Sequence, residues 1–256
     1  MTKLSGQIVF VTGASGGIGE ACAFAFAREG AKLLLAARRV EKLESMRAKL
    51  LEAGAADVYS FGLDVRDRAA VERAIAELPA EWRAIDVLVN NAGLSRGLDK
   101  LYAGKVEDWE EMIDTNVKGL LYMTRAVVPG MVKRGRGHVI NMGSTAAEIT
   151  YPSGAVYCAT KAAELAINDG LREDLLGTPV RVTSVDPGMV ETDFSKVRFH
   201  GDEERAAKVY QGLIPLKPED VADAIVWAAT RPAHVNIARV VMTSIDQANS
   251  LLFNRK

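Results

Sequence analysis

The chain has 256 residues, 48% of them hydrophobic and 25% charged, with a formal net charge of −1. That is enough apolar material for a large core in one α/β unit. No run approaches the ~18 apolar residues of a membrane-spanning helix, and the balanced charge removes a general electrostatic case for nucleic acid or anionic lipid.

The opening stretch, MTKLSGQIVF, has neither the apolar region nor the cleavage pattern of a signal peptide. Two cysteines, Cys22 and Cys158, make no disulfide framework, and Cys158 among alanines reads as a small buried hydrophobe. His138, His200 and His234 are dispersed without metal-ligand spacing. The expectation is a cytoplasmic chain, with no metal and no membrane or nucleic-acid partner.

Short runs rich in Val, Ile and Leu predict buried strands at 7–13, 32–37, 57–65, 86–93, 138–144, 180–188 and 238–244. Helical patterns lie between them. GEACAFAFAREG ends at Gly30 and VEKLESMRAKLLEAG at Gly54, with glycine just past the last turn. Pro218, followed by Glu219 and Asp220, opens a late helix with proline at its start and acids at its positive end. No repeats or linkers interrupt the series. Such alternation implies parallel strands joined by right-handed crossovers. The predicted fold is a single-domain, doubly wound α/β sheet of about seven strands over 1–256, with helices on both faces.

The first strand runs into TGASGGIG (12–19), and a helix follows. Turn glycines let a backbone approach a pyrophosphate, while the helix aims its N-terminal amides at that charge. Gly13, Ser15, Gly17, Ile18 and Gly19 are therefore candidate cofactor contacts. An NAD site usually offers a carboxylate at the end of the second strand to hold the ribose 2′-hydroxyl. Here Arg38 and Arg39 stand there instead, and two guanidiniums suit a 2′-phosphate. The expected cofactor is NADP(H).

Tyr157 and Lys161 in YCATK are four residues apart, on one face of a helix. A phenol is almost wholly protonated at neutral pH, and a nearby cation favours its anion. Such a pair can move a proton in either direction.

TGxxxGxG near the start, NNAG at 90–93, Asn116, Ser144, YxxxK at 157–161 and PG at 187–188 occur in order. Together they resemble the short-chain dehydrogenase/reductases, over essentially the whole chain. DTNVKGLLYMTRAVVPGMV (114–132) and PGMVETDFSKVRFHGDEERAAKVYQ (187–211) resemble one branch, the NADP-dependent 3-hydroxy acid dehydrogenases that oxidise serine, allo-threonine and related compounds. The resemblance implies a Rossmann fold with Tyr157 as general acid/base and Lys161 on the nicotinamide ribose. It implies that Ser144 bonds the substrate oxygen and Asn116 holds a relay water. It also implies adenine contacts from Asp64 and Val65, ribose and cleft contacts from Asn91, Ala92 and Gly93, and nicotinamide contacts from Pro187, Gly188, Val190 and Thr192. Family members usually assemble as homotetramers. The stripe Trp109, Met112, Ile113, Val117 and Leu121 could pack at such an interface or simply on the sheet, and the tail residues Leu251, Leu252 and Phe253 could dock onto a neighbour.

Residues 189–217 read as a mobile substrate lid with a short helix of its own. Lys196, Arg198 and His200 could give it a positive inner face for a carboxylate, and Arg96 could supply a second cation from the opposite wall. Glu148 argues instead for an ammonium or hydroxyl group. Two alternatives stay open. A reductase of a neutral ketone, aldehyde or 3-oxoacyl thioester would share the catalytic residues; a carrier would need a basic entrance, for which Lys118, Arg125, Lys133 and Arg134 offer only the scattered charge common on helix faces. A non-catalytic NADP-binding interaction protein would be expected to lose part of that set.

Overall fold

Strands covered by helices on both faces have no solvent side, so their residues need not alternate apolar with polar. The computed structural model, which describes residues 4–256, follows that rule; residues 1–3 of the opening stretch lie outside it. Among the described residues, seven strands form one parallel sheet: β1 (Ile8–Thr12), β2 (Lys32–Ala37), β3 (Asp57–Gly62), β4 (Ile85–Asn90), β5 (Gly137–Met142), β6 (Val180–Pro187) and β7 (Arg239–Met242). Their order is β3-β2-β1-β4-β5-β6-β7. The connecting helices are α1 (Gly17–Arg28), α2 (Val40–Glu52), α3 (Arg68–Ala76), α4 (Val106–Ile113), α5 (Leu120–Arg134), α6 (Ala155–Asp174), α7 (Phe194–Arg198), α8 (Glu203–Tyr210) and α9 (Pro218–Ala229). None is long and apolar enough to cross a membrane.

Consecutive residues of β2 show how the layers are built. Leu33 and Leu35 enter the core under α1, α2 and α9, while Leu34 enters the opposite core under α3 and α5. All three are fully buried, and each contributes roughly 2 kcal/mol of burial free energy. The strand alternation of period two thus feeds two cores at once.

Differences from the expected boundaries fall at the ends of strands. β4 stops at Asn90, before the NAG of the motif. The amides of Asn91 and Ala92 turn instead to Thr12 Oγ1, both at 3.1 Å, so the chain leaves the sheet beside the end of β1. The helical segment around Asn116 is also not uniform. Residues Asp114–Gly119 form a π-helical turn between α4 and α5, a local widening often found at functional sites.

Two glycines are dictated by close packing. A Cβ on Gly143 would overlap the Asp186 carboxylate, and one on Gly154 would enter the ring of Tyr151. Both flank residues expected in the site, Ser144 and Tyr157. Cys22 and Cys158 are free and buried, and burial pushes the Cys22 thiol up to about 12.

Candidate active site

Helix α1 begins without a side-chain cap, so its first amides point into the crevice at the end of β1 with no side chain to satisfy them. Gly13 and Gly17 hold positive φ values of 65° and 54°. A Cβ on Gly19 would collide with the Gly13 carbonyl and the Asn91 amide. Asn91 Nδ2 donates to the carbonyls of Thr12 (2.9 Å) and Gly13 (3.3 Å), which staples β4 to this loop. Arg39 lies across the loop, its Nε donating to Ser15 Oγ and its Nη2 to Ser15 O, both at 3.2 Å. Arg38 keeps a largely exposed guanidinium 3.8 Å from Glu111. Uncapped amides, a glycine cradle and two cations on one rim fit a dinucleotide bearing a 2′-phosphate.

Asp64 and Val65 border the same crevice. The Asp64 carboxylate accepts from Arg66 at 2.6 Å. Burial opposes its charge, but the Arg66 hydrogen bonds and the charges of Arg66 and Arg38 hold its pKa below the usual range. Val65 packs against Gly119, where a Cβ would not fit. At the far end, Pro187 closes β6, Gly188 makes room for the side chain of Gln247, and Thr192 faces Gly17. Val190 bridges to Leu216 at the base of the lid.

Ser144 follows β5. Its Oγ accepts from the Ala146 amide at 3.1 Å, which leaves the hydroxyl proton free to donate. Tyr157 and Lys161 lie in the first two turns of α6, 9% and 6% exposed. Lys161 Nζ is 5.8 Å from the Tyr157 ring centroid. It donates to Met142 O and to Glu164 Oε2, both at 2.9 Å. Asn116 is buried beside them. Its Oδ1 accepts from Leu94 N, and its Nδ2 donates to Leu94 O and Thr160 Oγ1. The side chain thus ties the loop after β4 to α6. A relay water bound here would fall to the backbone of the π-helical turn or to the remaining lone pair of Oδ1.

The 189–217 segment, expected to act as a lid, contains two helices, α7 and α8, where the sequence suggested one. Its cations separate by partner. Lys196 pairs with Glu203 at 3.1 Å, and His200 Nε2 lies 3.1 Å from Asp108. Arg96 is committed to Glu111 at 2.6 Å and to the Val197 carbonyl, so it holds the lid rather than offering a free cation. Glu148 is matched by Arg239 at 2.5 Å. Arg198 alone of this group faces the tyrosine. Its guanidinium carbon sits 5.4 Å from the Tyr157 ring centroid and 5.2 Å from that of Phe194. Ser95 Oγ (3.0 Å) and Tyr151 Oη (3.1 Å) hold it there. A cleft bordered by Ser95, Asp99, Lys105, Trp109 and Tyr157 opens beside this cluster.

Sequence reasoning missed Glu164, Tyr151, Ser95 and Glu111. Glu164 carried a signal, three residues past Lys161 on the same helical face. The other three carried none, because only the folded chain brings Tyr151 and Ser95 to Arg198 and Glu111 to Arg96.

A model of the short chain dehydrogenase family matches residues 7–203. The chain is 53% identical over 243 residues to an NADP-dependent 3-hydroxy acid dehydrogenase of Salmonella typhi, covering 94% of this chain and 96% of that one. It is 42% identical over 257 residues to an NADP-dependent 3-hydroxy acid dehydrogenase of Schizosaccharomyces pombe, covering 100% and 99%. The closed form of serine dehydrogenase complexed with NADP+ superimposes with a TM-score of 0.92 at 49% identity, covering 98% of this chain and 100% of that one.

The Arg96 contacts generate a test. Arg96→Met should speed amide hydrogen exchange across Phe194–Tyr210 by about tenfold, corresponding to the loss of ~1.4 kcal/mol of latching. Protection unchanged from wild type would mean that Arg96 does not restrain this segment.

Proposed function

The chain belongs to the short chain dehydrogenase family, and from that premise we propose that it is an NADP-dependent oxidoreductase acting on small 3-hydroxy acids of the serine, allo-threonine or 3-hydroxyisobutyrate type. The observation that carries the substrate class is Arg198, a cation braced by Ser95 and Tyr151 beside the ring of Tyr157. A carboxylate gripped there would lie within reach of the tyrosine only if the reacting carbon is close to it along the substrate, as in a 3-hydroxy acid. The named relatives act on the same class. A carrier-bound thioester is less well served: Lys118 is paired with Asp114, and Arg134 donates to the Ile85 carbonyl.

Gly13, Ser15, Gly17, Ile18 and Gly19 would hold the pyrophosphate, and Arg38 and Arg39 the 2′-phosphate. Asp64, Val65, Asn91, Ala92 and Gly93 would line the adenosine half, with Pro187, Gly188, Val190 and Thr192 at the nicotinamide end. When bound, NADP+ supplies the hydride acceptor for alcohol oxidation and NADPH the donor for carbonyl reduction. Ser144 donates a hydrogen bond to the substrate oxygen. In oxidation Tyr157 takes the hydroxyl proton as the carbon gives up hydride, and in reduction it returns a proton to the nascent alkoxide. Lys161 places its ammonium beside the ring and so favours negative charge on the phenol oxygen. Asn116 keeps the loop after β4 against α6 while these groups act.

We infer a cytoplasmic homotetramer. Trp227, Val241, Ile245, Leu251 and Leu252 are exposed along edge strand β7, α9 and the tail, and Ile113 and Leu121 are exposed beside the π-helical turn. Isolated apolar residues are ordinary on a surface, but an apolar sheet edge favours pairing with another copy.

Initial rates of NADP+ reduction with L-serine, L-allo-threonine, 3-hydroxyisobutyrate and 3-hydroxypropionate, each beside its methyl ester, test the substrate class. Turnover of the acids with little turnover of the esters is expected, and esters used as well as acids would remove the carboxylate from the argument. Tyr157→Phe should lower kcat by about 10³-fold with NADPH affinity within a few-fold of wild type; retention of wild-type kcat would sink the mechanism. Replacing Arg38 and Arg39 together with alanine should weaken NADPH binding by about 100-fold, the equivalent of one or two charged hydrogen bonds. NADH affinity should barely change, and equal losses would place the 2′-phosphate elsewhere.

A further inference from the structure

Glu164 is 5% exposed, and its Oε2 lies 2.9 Å from Lys161 Nζ. A buried carboxylate carries a desolvation cost that a well-packed aliphatic side chain at the same position would avoid. Its contacts indicate a use. Lys161 has three N–H donors; one goes to the Met142 carbonyl and one to Glu164. Gly93 borders the ammonium on the cleft side, where a Cβ would stand 3.7 Å from Nζ. Two fixed bonds therefore orient the ammonium and leave its third N–H for another acceptor.

We propose that Glu164 is a positioning residue for the reaction: it anchors the Lys161 ammonium and, when ionised, offsets the charge with which Lys161 favours the negative oxygen of Tyr157. This rests on the roles assigned to Tyr157 and Lys161 above.

The groups around the carboxylate are few. Lys161 and Tyr157 lie on its own helix. Asp186 stands at the end of β6, itself bonded to Arg239 of β7 and to Ser184. The small cavity on the remaining side is lined by Thr12, Asn90 and Asn116 among others, none of them charged. That cavity also touches Val65 and Ala92 of the cofactor crevice, which gives the carboxyl a polar path for proton exchange. Burial raises the Glu164 pKa to about 7, with Lys161 opposing and Asp186 reinforcing the rise. Burial disfavours the charge on Lys161, but Glu164, Tyr157 and Asp186 raise its pKa overall, so the lysine stays protonated throughout.

The sign follows from those charges. Below about pH 7 the carboxyl is neutral and the lysine charge is uncompensated. Above it the pair is neutral and favours the phenol anion less. In the direction of alcohol oxidation, kcat/KM rises with pH as the base form accumulates. Ionisation of Glu164 should split that limb into two ionisations belonging to the coupled groups.

The experiment is kcat/KM against pH for oxidation of the best acid substrate by NADP+, in wild type, Glu164→Gln and Glu164→Asp, with NADPH binding as a check of folding. The glutamine variant keeps an acceptor for Nζ without the charge. Its limb should follow one ionisation and move to lower pH by about half a unit to one unit. The aspartate variant should keep the two-step limb and lose kcat, because a shorter carboxylate anchors Lys161 less well. Coincident limbs in wild type and Glu164→Gln overturn the inference. So does a wild-type limb with a single ionisation, whether or not the variants can be purified. A wild type that oxidises no alcohol with NADP+ fails the functional reading itself and takes this inference with it. Turnover with coincident limbs fails this inference alone.

Discussion

The helix that follows β1 packs on one face of the sheet, and the segment that follows β4 goes to the other. Two neighbouring parallel strands whose connections leave in opposite directions must part at their C-terminal ends, and the gap between them is a crevice. The chain commits its most constrained local features to the rim of that gap. Thr12 Oγ1 takes the amides of Asn91 and Ala92, and the Asn91 side chain returns to the carbonyls of Thr12 and Gly13. The two strand ends are thereby fixed to one another as they diverge. The glycine loop can then face outward with the first amides of α1 uncapped by any side chain. Ser144 and the start of α6 occupy the next positions along the same edge, since β5 is the neighbour of β4.

A chain of charges joins the two ends of this crevice. Asp64 holds Arg66, Arg66 and Arg96 share Glu111, and Arg96 reaches the Val197 carbonyl in the lid. The members are unequal. Arg38 is half exposed and 3.8 Å from Glu111, and such a contact contributes little. Arg96 and Glu111 are mostly shielded and 2.6 Å apart, so removing one would leave the other poorly solvated. Glu111 reflects this: the hydrogen bond from Arg96 dominates over burial and keeps its carboxyl below the usual range. Restraint of that segment therefore passes through groups linked to Asp64, beside the glycine loop's side of the crevice.

The fold was legible because parallel strands with two buried faces read as short, largely apolar runs rather than as alternating ones. β1, written IVFVT, is buried at every position, and a run of that kind between helical patterns identifies itself. The π-helical turn at Asn116 was not legible, since one extra residue in a turn leaves the apolar spacing almost unchanged. Charged residues near the lid were the least legible. Arg96, Lys196, Arg198 and His200 are equal candidates as letters. What separates them is whether a carboxylate from elsewhere in the chain, Glu111, Glu203 or Asp108, reaches them first. Glu148 is ambiguous in the sequence for the same reason, and in the fold Arg239 lies beside it. Glu164 could have been read from its spacing to Lys161, but glutamate on a helix is so often solvated that spacing alone does not mark it as buried.

The 189–217 segment, expected to act as a lid, is fastened both by polar contacts and by Phe194 and Val197, which pack against the small core around Tyr157. Its base is closed by the bridge between Val190 and Leu216 and by Tyr210 Oη, which donates to the Val190 carbonyl at 2.9 Å. Its middle is held by the Gly97 amide donating to the Arg198 carbonyl at 2.9 Å and by Arg96 on Val197. Water can replace each of these partners, so each is worth only about 1 kcal/mol net, whereas a buried apolar seam would resist opening in proportion to its area. Any opening between these contacts would carry Phe194 and Arg198 with it. Those two side chains are the ones that meet the Tyr157 ring. Closure would then deliver the cation, the apolar cover and the exclusion of water in a single movement. A substrate carboxylate between Arg198 and the cleft wall would reward that movement where a neutral analogue would not, because only the charged group replaces the water lost by the guanidinium. Selectivity for an acid would thus lie in the equilibrium of the lid as much as in any contact made after it closes.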